Sequence, residues 1–234
     1  MKHVVRISLI LSIIVLGYLT IMSILTPIHF DEERALREKA IINNLVSIRK
    51  AQIEFKNQNG RYTASTDTLV DFILNGKMPL VLKEGTLTDE QLLAGLTEKK
   101  ALQIVKSGNK KEIAANGLEN FRRDTSYVSV YESLFSDILT IDKVKDLCVI
   151  PFSNGQKFEM ETRMHTNASS GIVIPLFEAR APYDTYLSDL NRQELVNLKD
   201  QQTKLEKYNG LKVGSVDEPN NNAGNWGDFP VGDS

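Results

Sequence analysis

The longest apolar run of the chain lies close to its N-terminus, over residues 7–25. These nineteen residues (ISLILSIIVLGYLTIMSIL) carry no charged side chain. A helix of about 20 apolar residues is long enough to cross the hydrocarbon core of a bilayer, which is about 30 Å thick. The run therefore predicts a transmembrane helix that contacts the membrane through residues 7–25.

The charges on either side of this run predict its orientation. Basic residues precede it and acidic residues follow it: Lys2 and Arg6, then Asp31, Glu32 and Glu33. The more positive flank of a membrane helix stays in the cytoplasm. We therefore expect residues 1–6 to be cytoplasmic and the rest of the chain to be exported. This places the protein in the inner (cytoplasmic) membrane, with a periplasmic or extracytoplasmic domain.

Two other interpretations of the apolar run compete with an uncleaved anchor. A cleaved signal peptide has an apolar core of about 7–15 residues and a small-x-small cleavage site. Here the run is longer, and residues 23–28 (SILTPI) contain no Ala-x-Ala pattern. A buried core helix is the other alternative, but it would leave the flanking charges without an explanation. The pattern favours the anchor.

An amphipathic pattern replaces the uniformly apolar one over residues 30–59. Ile41, Leu45, Ile48 and Phe55 follow one another at helical spacing, with Gln52 in the same stripe. This spacing predicts a membrane-proximal helix with one apolar face, ending at Asn59-Gly60. The stripe packs either on the protein's own sheet or on a neighbouring subunit, and the second possibility makes its four apolar residues candidate partner-binding residues.

The first third of the chain, over about residues 4–75, resembles type IV pilins and the pseudopilins of type II secretion systems. The resemblance rests on these residues of the stalk and the turn after it: Asn44-Leu45, Ile48-Arg49, Ala51-Gln52, Phe55, Gly60 and Tyr62. It implies a membrane helix that continues as a stalk and a subunit that assembles with others. The chain lacks a Gly-Phe cleavage site before the apolar run and a glutamate near its start. Prepilin processing and glutamate-based registration are therefore not implied.

The remaining patterns predict an α+β fold in which the long N-terminal membrane-plus-stalk helix packs on an antiparallel sheet, with additional short helices. Helices are predicted over 66–73, 89–107 and 184–207, and strands over 78–83, 125–132, 145–152, 157–163 and 172–181. The turn signal at 153–155 predicts that the strands on either side of it form a hairpin. Residues 194–198 are equally compatible with an edge strand. We expect one exported domain over residues 60–215, followed by an Asn/Gly-rich C-terminal tail over 216–234.

Composition argues against most catalytic functions. The net charge is −2 with a single cysteine and three histidines, which does not favour nucleic acid as a partner, a disulfide framework or a zinc site. Cys148 lies in an apolar stretch, which predicts a buried structural thiol. Glu159 and Glu161 share one face of a strand and are expected to be an outward polar face. We expect no enzymatic activity and no cofactor.

The C-terminal tail offers two further candidate sites. Five oxygen-bearing residues could hold calcium, the only metal suggested by the sequence: Asp217, Glu218, Asn220, Asn222 and Asp228. Trp226 and Phe229 either dock the tail on the domain or form a short partner-binding motif.

Taken together, these patterns predict a non-enzymatic, membrane-anchored structural or assembly protein, a pseudopilin-like component of envelope or secretion machinery. Its partners would be further copies of itself or other envelope proteins. The alternative is an anchored binding module that recognises a protein or envelope ligand through the sheet face or the C-terminal tail.

Overall fold

The structure is a computed structural model, and it describes residues 2–166 and 171–227. The elements in chain order are α1 (Lys2–Asn59), α2 (Thr66–Asn75), β1 (Lys77–Glu84), α3 (Asp89–Leu93), α4 (Glu98–Ser107), α5 (Lys110–Ala115), β2 (Arg122–Ser129), α6 (Val130–Leu134), α7 (Ile141–Lys145), β3 (Glu159–Thr166), β4 (Val173–Pro182), α8 (Tyr183–Tyr186), α9 (Arg192–Lys204) and β5 (Gly210–Gly214). This order of helices and antiparallel strands confirms the predicted α+β fold class.

The N-terminal helix α1 is a single element of 58 residues that contains Pro27. It joins the predicted transmembrane helix and the predicted stalk without an interruption. It ends at Asn59, and Gly60 follows with a φ of 72°. A left-handed glycine directly after the last turn is a common way for a helix to end, because glycine adopts this conformation without a Cβ penalty. The predicted end of the stalk is confirmed.

The chain divides into two compact units, the first comprising residues 1–72 and 139–234 and the second residues 73–138. This differs from the single exported domain expected from the sequence. The second unit has a core of its own in Ala101, Leu118 and Phe121, with further apolar residues against it. Its two strands, β1 and β2, pair antiparallel from Lys77 opposite Ser129 to Glu84 opposite Arg122.

The first unit is built on a three-stranded antiparallel sheet in the order β3-β4-β5. Along β4 the fully buried residues alternate, at Phe177, Ala179 and Ala181, as expected for a strand with one face on a core. Helix α1 contacts β4 and β5. The long helix therefore packs on the antiparallel sheet, as the sequence predicts.

Four predicted elements differ from the structure. The strand predicted over 125–132 ends at Ser129, and residues 130–132 belong to α6 because the Ser129 side chain caps that helix. The predicted strand over 145–152 is instead the end of α7, a turn and one isolated bridge between Val149 and Lys157. The tight turn at 153–155 closes it, with Ile150 N–H donating to the Gln156 carbonyl at 2.8 Å. A short apolar run does not distinguish a strand from a buried turn, because both bury the same side chains.

The other two differences concern single helices that are divided in the structure. The helix predicted over 89–107 is broken into α3 and α4, with Gly95 at a φ of 80° and Thr97 as the N-cap of α4. The helix predicted over 184–207 is divided into α8 and α9, and Asn191 caps the second through its side chain. Strand β5 has no counterpart among the predicted elements.

Candidate functional site

The first functional feature is the uncovered apolar half of α1. Its large apolar side chains between Val5 and Ile28 are 41–66% exposed, on all sides of the helix. Packing begins abruptly at Phe30, which is 5% exposed. Among the described residues, α1 is the one helix long and apolar enough to cross a membrane by length and composition.

The second half of α1 corrects the predicted partner-binding stripe. Ile41, Leu45 and Ile48 are fully buried in the core of the first unit, so they are not available to a neighbouring subunit. Phe55 is half-buried, and its ring lies edge-on to that of Phe72 at 5.1 Å between centroids. Of the two possibilities left open by the sequence, the stripe packs on the protein's own sheet.

A buried arginine holds α1 against the segment that follows α8. Arg37 forms two parallel hydrogen bonds with the Asp189 carboxylate, at 2.5 and 2.8 Å, and also donates to the Tyr186 carbonyl at 2.7 Å. The hydrogen bonds between the two side chains raise the pKa of Arg37 and lower that of Asp189. Such bidentate pairs constrain geometry as well as charge, so this contact fixes α1 relative to the rest of the unit.

The C-terminal tail closes the outer edge of the sheet at β5. Gly214 N–H donates to the Ala223 carbonyl at 2.9 Å, and Asn225 N–H donates to the Lys212 carbonyl at 3.1 Å. The Asn225 side chain accepts from Lys212 N–H and donates to the Gly210 carbonyl, each at 2.9 Å. An open strand edge invites unwanted pairing, and here the tail satisfies it. Trp226 lies with its indole beside Gly224 of the same tail, and it lines a pocket together with Arg34 and Tyr183.

Three of the five predicted calcium ligands are engaged with protein groups through their side chains, whereas Glu218 is held through its backbone N–H, which donates to the Ser215 hydroxyl at 3.4 Å. Asp217 forms an ion pair with Arg163 at 3.3 Å, Asn222 donates its amide to the Tyr62 hydroxyl at 3.0 Å, and Asn220 donates to the Ala223 carbonyl at 3.4 Å. Over residues 2–166 and 171–227 no group of three or more His, Cys, Asp or Glu side chains is placed to hold a metal ion. These contacts favour a structural role for the tail, and calcium binding stays a prediction. Asp228 and Phe229 lie outside the described residues.

Removing the Asn225 side chain is expected to loosen this edge. Asn225→Ala leaves Lys212 N–H and the Gly210 carbonyl without their side-chain partners. Asn225 is exposed, so water replaces part of what is lost, and we expect the free energy of unfolding to fall by about 0.5–1.5 kcal/mol, the usual net contribution of a hydrogen bond. Asn197→Ala, on the exposed surface of α9, is the matched control. Denaturant unfolding of both variants measures the difference. An equal loss in the free energy of unfolding for the two would show that the Asn225 side chain does not stabilise the edge of the sheet.

The other candidate chemical groups are accounted for by packing and charge pairing. Cys148 is buried, which confirms that part of the prediction, and burial raises the pKa of its thiol to about 12. Glu159 and Glu161 lie on the same side of β3, and both approach Arg180, at 3.4 and 3.6 Å. The shared arginine makes the two carboxylates part of an ion-pair network on the sheet surface.

A polar pocket of about 320 Å³ lies in the first unit between α1, α9 and the C-terminal tail. Six separate segments contribute to it: α1, α8, α9, the loop after α9, the start of β5 and the tail. Its polar and aromatic walls are formed by Arg34, Glu38, Tyr183, Gln201, Gln202, Lys207, Asn225 and Trp226. Assembly from segments so far apart in sequence is the reason why the sequence patterns did not predict this pocket.

Glu38 is the unusual residue of the pocket. Its side chain is 13% exposed, and its nearest opposite charge is Arg34 Nε at 3.7 Å. Burial raises the pKa of its carboxyl, although Arg34 opposes that shift. The sequence does contain a signal for this residue, because Glu38 lies three residues before Ile41 and seven before Leu45 and so shares the buried face of the helix.

The raised pKa of Glu38 predicts that Glu38→Gln stabilises the protein at neutral pH. A carboxyl whose pKa is higher in the folded than in the unfolded state binds protons more tightly when folded. The stabilisation that this proton provides is therefore lost as the pH rises from the pKa of the unfolded state, near 4.5, through the raised pKa of the folded state. We expect a higher Tm than wild type at pH 7, with the gap closing as the pH falls towards 4.5.

The matched control for this change is Glu54→Gln on the same helix. Glu54 accepts hydrogen bonds from Asn57 and Gln58 on the helix surface, so we expect no gain in Tm at pH 7. Thermal unfolding across the acid range compares the two variants. A Glu38→Gln protein that is less stable than wild type at pH 7 would contradict the assigned cause, which is the burial of a charged carboxylate.

Comparison with known proteins yields no relative: no family model, no curated protein and no solved structure matches the chain. What the protein does must therefore be inferred from its own side chains and their surroundings.

Proposed function

We propose that the chain is a single-pass, membrane-anchored, non-enzymatic subunit of an envelope or secretion assembly, with a pilin-like layout. The observation that carries the proposal is the continuity of α1. One helix of 58 residues provides an uncovered apolar half and a half that packs on an antiparallel sheet. A subunit of this kind is held at the membrane surface by the same element that organises its domain.

The apolar half of α1 supports a lipid-spanning anchor. Its exposed apolar side chains are distributed around the whole circumference of the helix, and a helix that is apolar all round is typical of membrane spans or of large protein cores. A helix that binds in the groove of a soluble partner needs only one apolar face. Lipid is therefore the environment that this segment fits best.

The flanking charges support the orientation of the anchor. Lys2 and Arg6 lie before the span, and Asp31, Glu32 and Glu33 lie after it. Basic flanks are retained in the cytoplasm, so the proposal places the chain that follows the span outside the cytoplasm. In this arrangement the domain faces the envelope, where partner subunits would meet it.

Two measurements test this proposal. A protease added to the outer side of sealed cells, after removal of any outer barrier, is expected to digest the domain and to spare a short N-terminal fragment. Native mass measurement of the full chain after detergent extraction, together with in-membrane crosslinking, is expected to detect oligomers or complexes with other envelope proteins. A protected domain would overturn the orientation, and a monomer without crosslinked envelope partners would overturn the assembly role.

A further inference from the structure

We infer that the pocket between α1, α9 and the C-terminal tail binds a small zwitterion, with the ligand's primary ammonium against Glu38 and its anionic group towards Lys207. A single cavity of about 320 Å³ is lined by both of these side chains, together with Arg34, Tyr183, Gln202 and Trp226. This inference goes beyond the assembly role proposed above and does not depend on it.

The carboxylate of Glu38 supplies the first half of the argument. Its side chain is largely buried, yet among the described residues it accepts no hydrogen bond, and Arg34 Nε lies 3.7 Å away. Arg34 Nε has no hydrogen-bond partner either. Buried carboxylates in proteins are normally satisfied by several donors. A ligand ammonium brings three N–H donors, and a hydrogen-bond donor is what this carboxylate lacks, since Arg34 supplies it with a nearby positive charge only.

The same walls of the pocket also carry positive charge, on Arg34 and Lys207. Within the described part of the chain Lys207 has no carboxylate partner, and Gln202 leaves its side-chain amide without a hydrogen bond. A ligand with only a positive charge would be repelled by Arg34 and Lys207, and one with only a negative charge would be repelled by Glu38. A ligand that carries both charges avoids either penalty.

The position of the pocket on α1 defines two sources of such a ligand. Arg34 lies nine residues after Leu25, or about 14 Å along the helix at the usual rise per residue. A free amino acid or amino phosphate could enter from solution, and the headgroup of an aminophospholipid could enter from the membrane surface. Both present an ammonium a short distance from a carboxylate or phosphate, and this shared chemistry is what the pocket would recognise.

The test is a titration of the full chain, held in a non-ionic detergent, with phosphoethanolamine and with glycine. We expect saturable binding of at least one of them in calorimetry. Ethanolamine alone and inorganic phosphate alone are expected to bind at least about tenfold more weakly, because each lacks one of the two charges. A parallel titration in nanodiscs, with phosphatidylethanolamine or with phosphatidylglycerol, distinguishes the lipid source from the soluble one. If phosphatidylethanolamine alone shifts the Tm, the ligand is the headgroup.

Two variants and one control test the assignment to residues. Glu38→Gln is expected to weaken binding by about tenfold or more while raising the Tm in the absence of ligand, which separates a binding role from a folding role. Lys207→Ala changes an exposed side chain and is expected to weaken phosphoethanolamine binding more than ethanolamine binding. Glu54→Gln, on the same helix and away from the pocket, should bind as wild type does.

Each of the remaining outcomes would overturn the inference. Binding that is unchanged in Glu38→Gln would remove the ammonium site. Equal binding of ethanolamine and phosphoethanolamine would remove the anionic half. No saturable binding of phosphoethanolamine or glycine, and no response to phosphatidylethanolamine nanodiscs, would show that the pocket holds only water. The membrane-anchored assembly proposal would stand in all three cases.

Discussion

Leu16→Arg is expected to reduce membrane insertion of α1 by roughly a hundredfold. Leu16 lies in the middle of the uncharged segment over residues 7–25, and its side chain is exposed. Placing arginine near the centre of a membrane helix costs about 3 kcal/mol on insertion scales, and each 1.4 kcal/mol is a factor of ten in an equilibrium constant. The measurement is the inserted fraction in a membrane-insertion assay that is calibrated with helices of known hydrophobicity.

The control for this prediction is the same substitution on the same helix outside the apolar segment. Leu36 is also exposed, but it lies in the half of α1 that contacts the sheet. Leu36→Arg should insert as wild type does. If the two variants insert equally well, the segment over 7–25 is not the part of the chain that contacts lipid.

Leu45→Ala is expected to destabilise the first unit by about 2–5 kcal/mol. Leu45 is fully buried where α1 packs on the sheet, and truncation of a buried leucine removes apolar contacts and leaves a cavity. Denaturant unfolding of the full chain in micelles, followed by a signal from the domain, measures the free energy of unfolding. The loss is large relative to the 5–15 kcal/mol that typically separates folded from unfolded domains.

Leu36→Ala is the matched control for the packing of α1. It makes the same chemical change on the same helix, at a side chain that is 58% exposed, and its cost should stay within about 0.5 kcal/mol. Similar losses for both variants would mean that the stripe does not form the core. If Leu45→Ala increased the dissociation of oligomers without a loss of stability, the apolar stripe of α1 would be a subunit interface.

The long periodic segments were predictable because their patterns are strong and local. The uninterrupted apolar run over 7–25 and the stripe from Ile41 to Phe55 each extend over several helical turns, and together they account for α1. Strand β3 begins with alternating polar and apolar residues after the turn signal at 153–155, and β4 contains a continuous apolar run from Val173 to Phe177. These features also sufficed to predict the α+β class, since helices followed by an antiparallel meander leave few alternatives.

The elements that were not predicted depend on contacts between distant parts of the chain. Strand β5 has only five residues, and its pairing with β4 on one side and with the tail on the other is what makes it a strand. The Asn-rich tail resembled a calcium loop because asparagine supplies metal-binding oxygens. In the structure Asn225 bonds to the backbone of β5, a use of asparagine that follows from its combined donor and acceptor groups.

The candidate pocket was not predicted for the same reason, because it depends on contacts between distant parts of the chain. Glu38 lies on the buried face of its helix, and the stripe of apolar residues could have drawn attention to it. Nothing local in the sequence, however, indicates that α9, β5 and Trp226 surround it. Sites assembled from several segments become visible only when the fold brings those segments together.

Residues up to about 29 anchor a domain that folds without them, and membrane fractionation tests this most directly. Membranes that contain the full chain are washed at alkaline pH, and a chain that begins at Phe30 is fractionated in parallel. The full chain should stay in the membrane pellet, and the shortened chain should be folded and soluble, with cooperative unfolding. A full chain released by the wash, or a shortened chain that stays in the pellet, would contradict the claim.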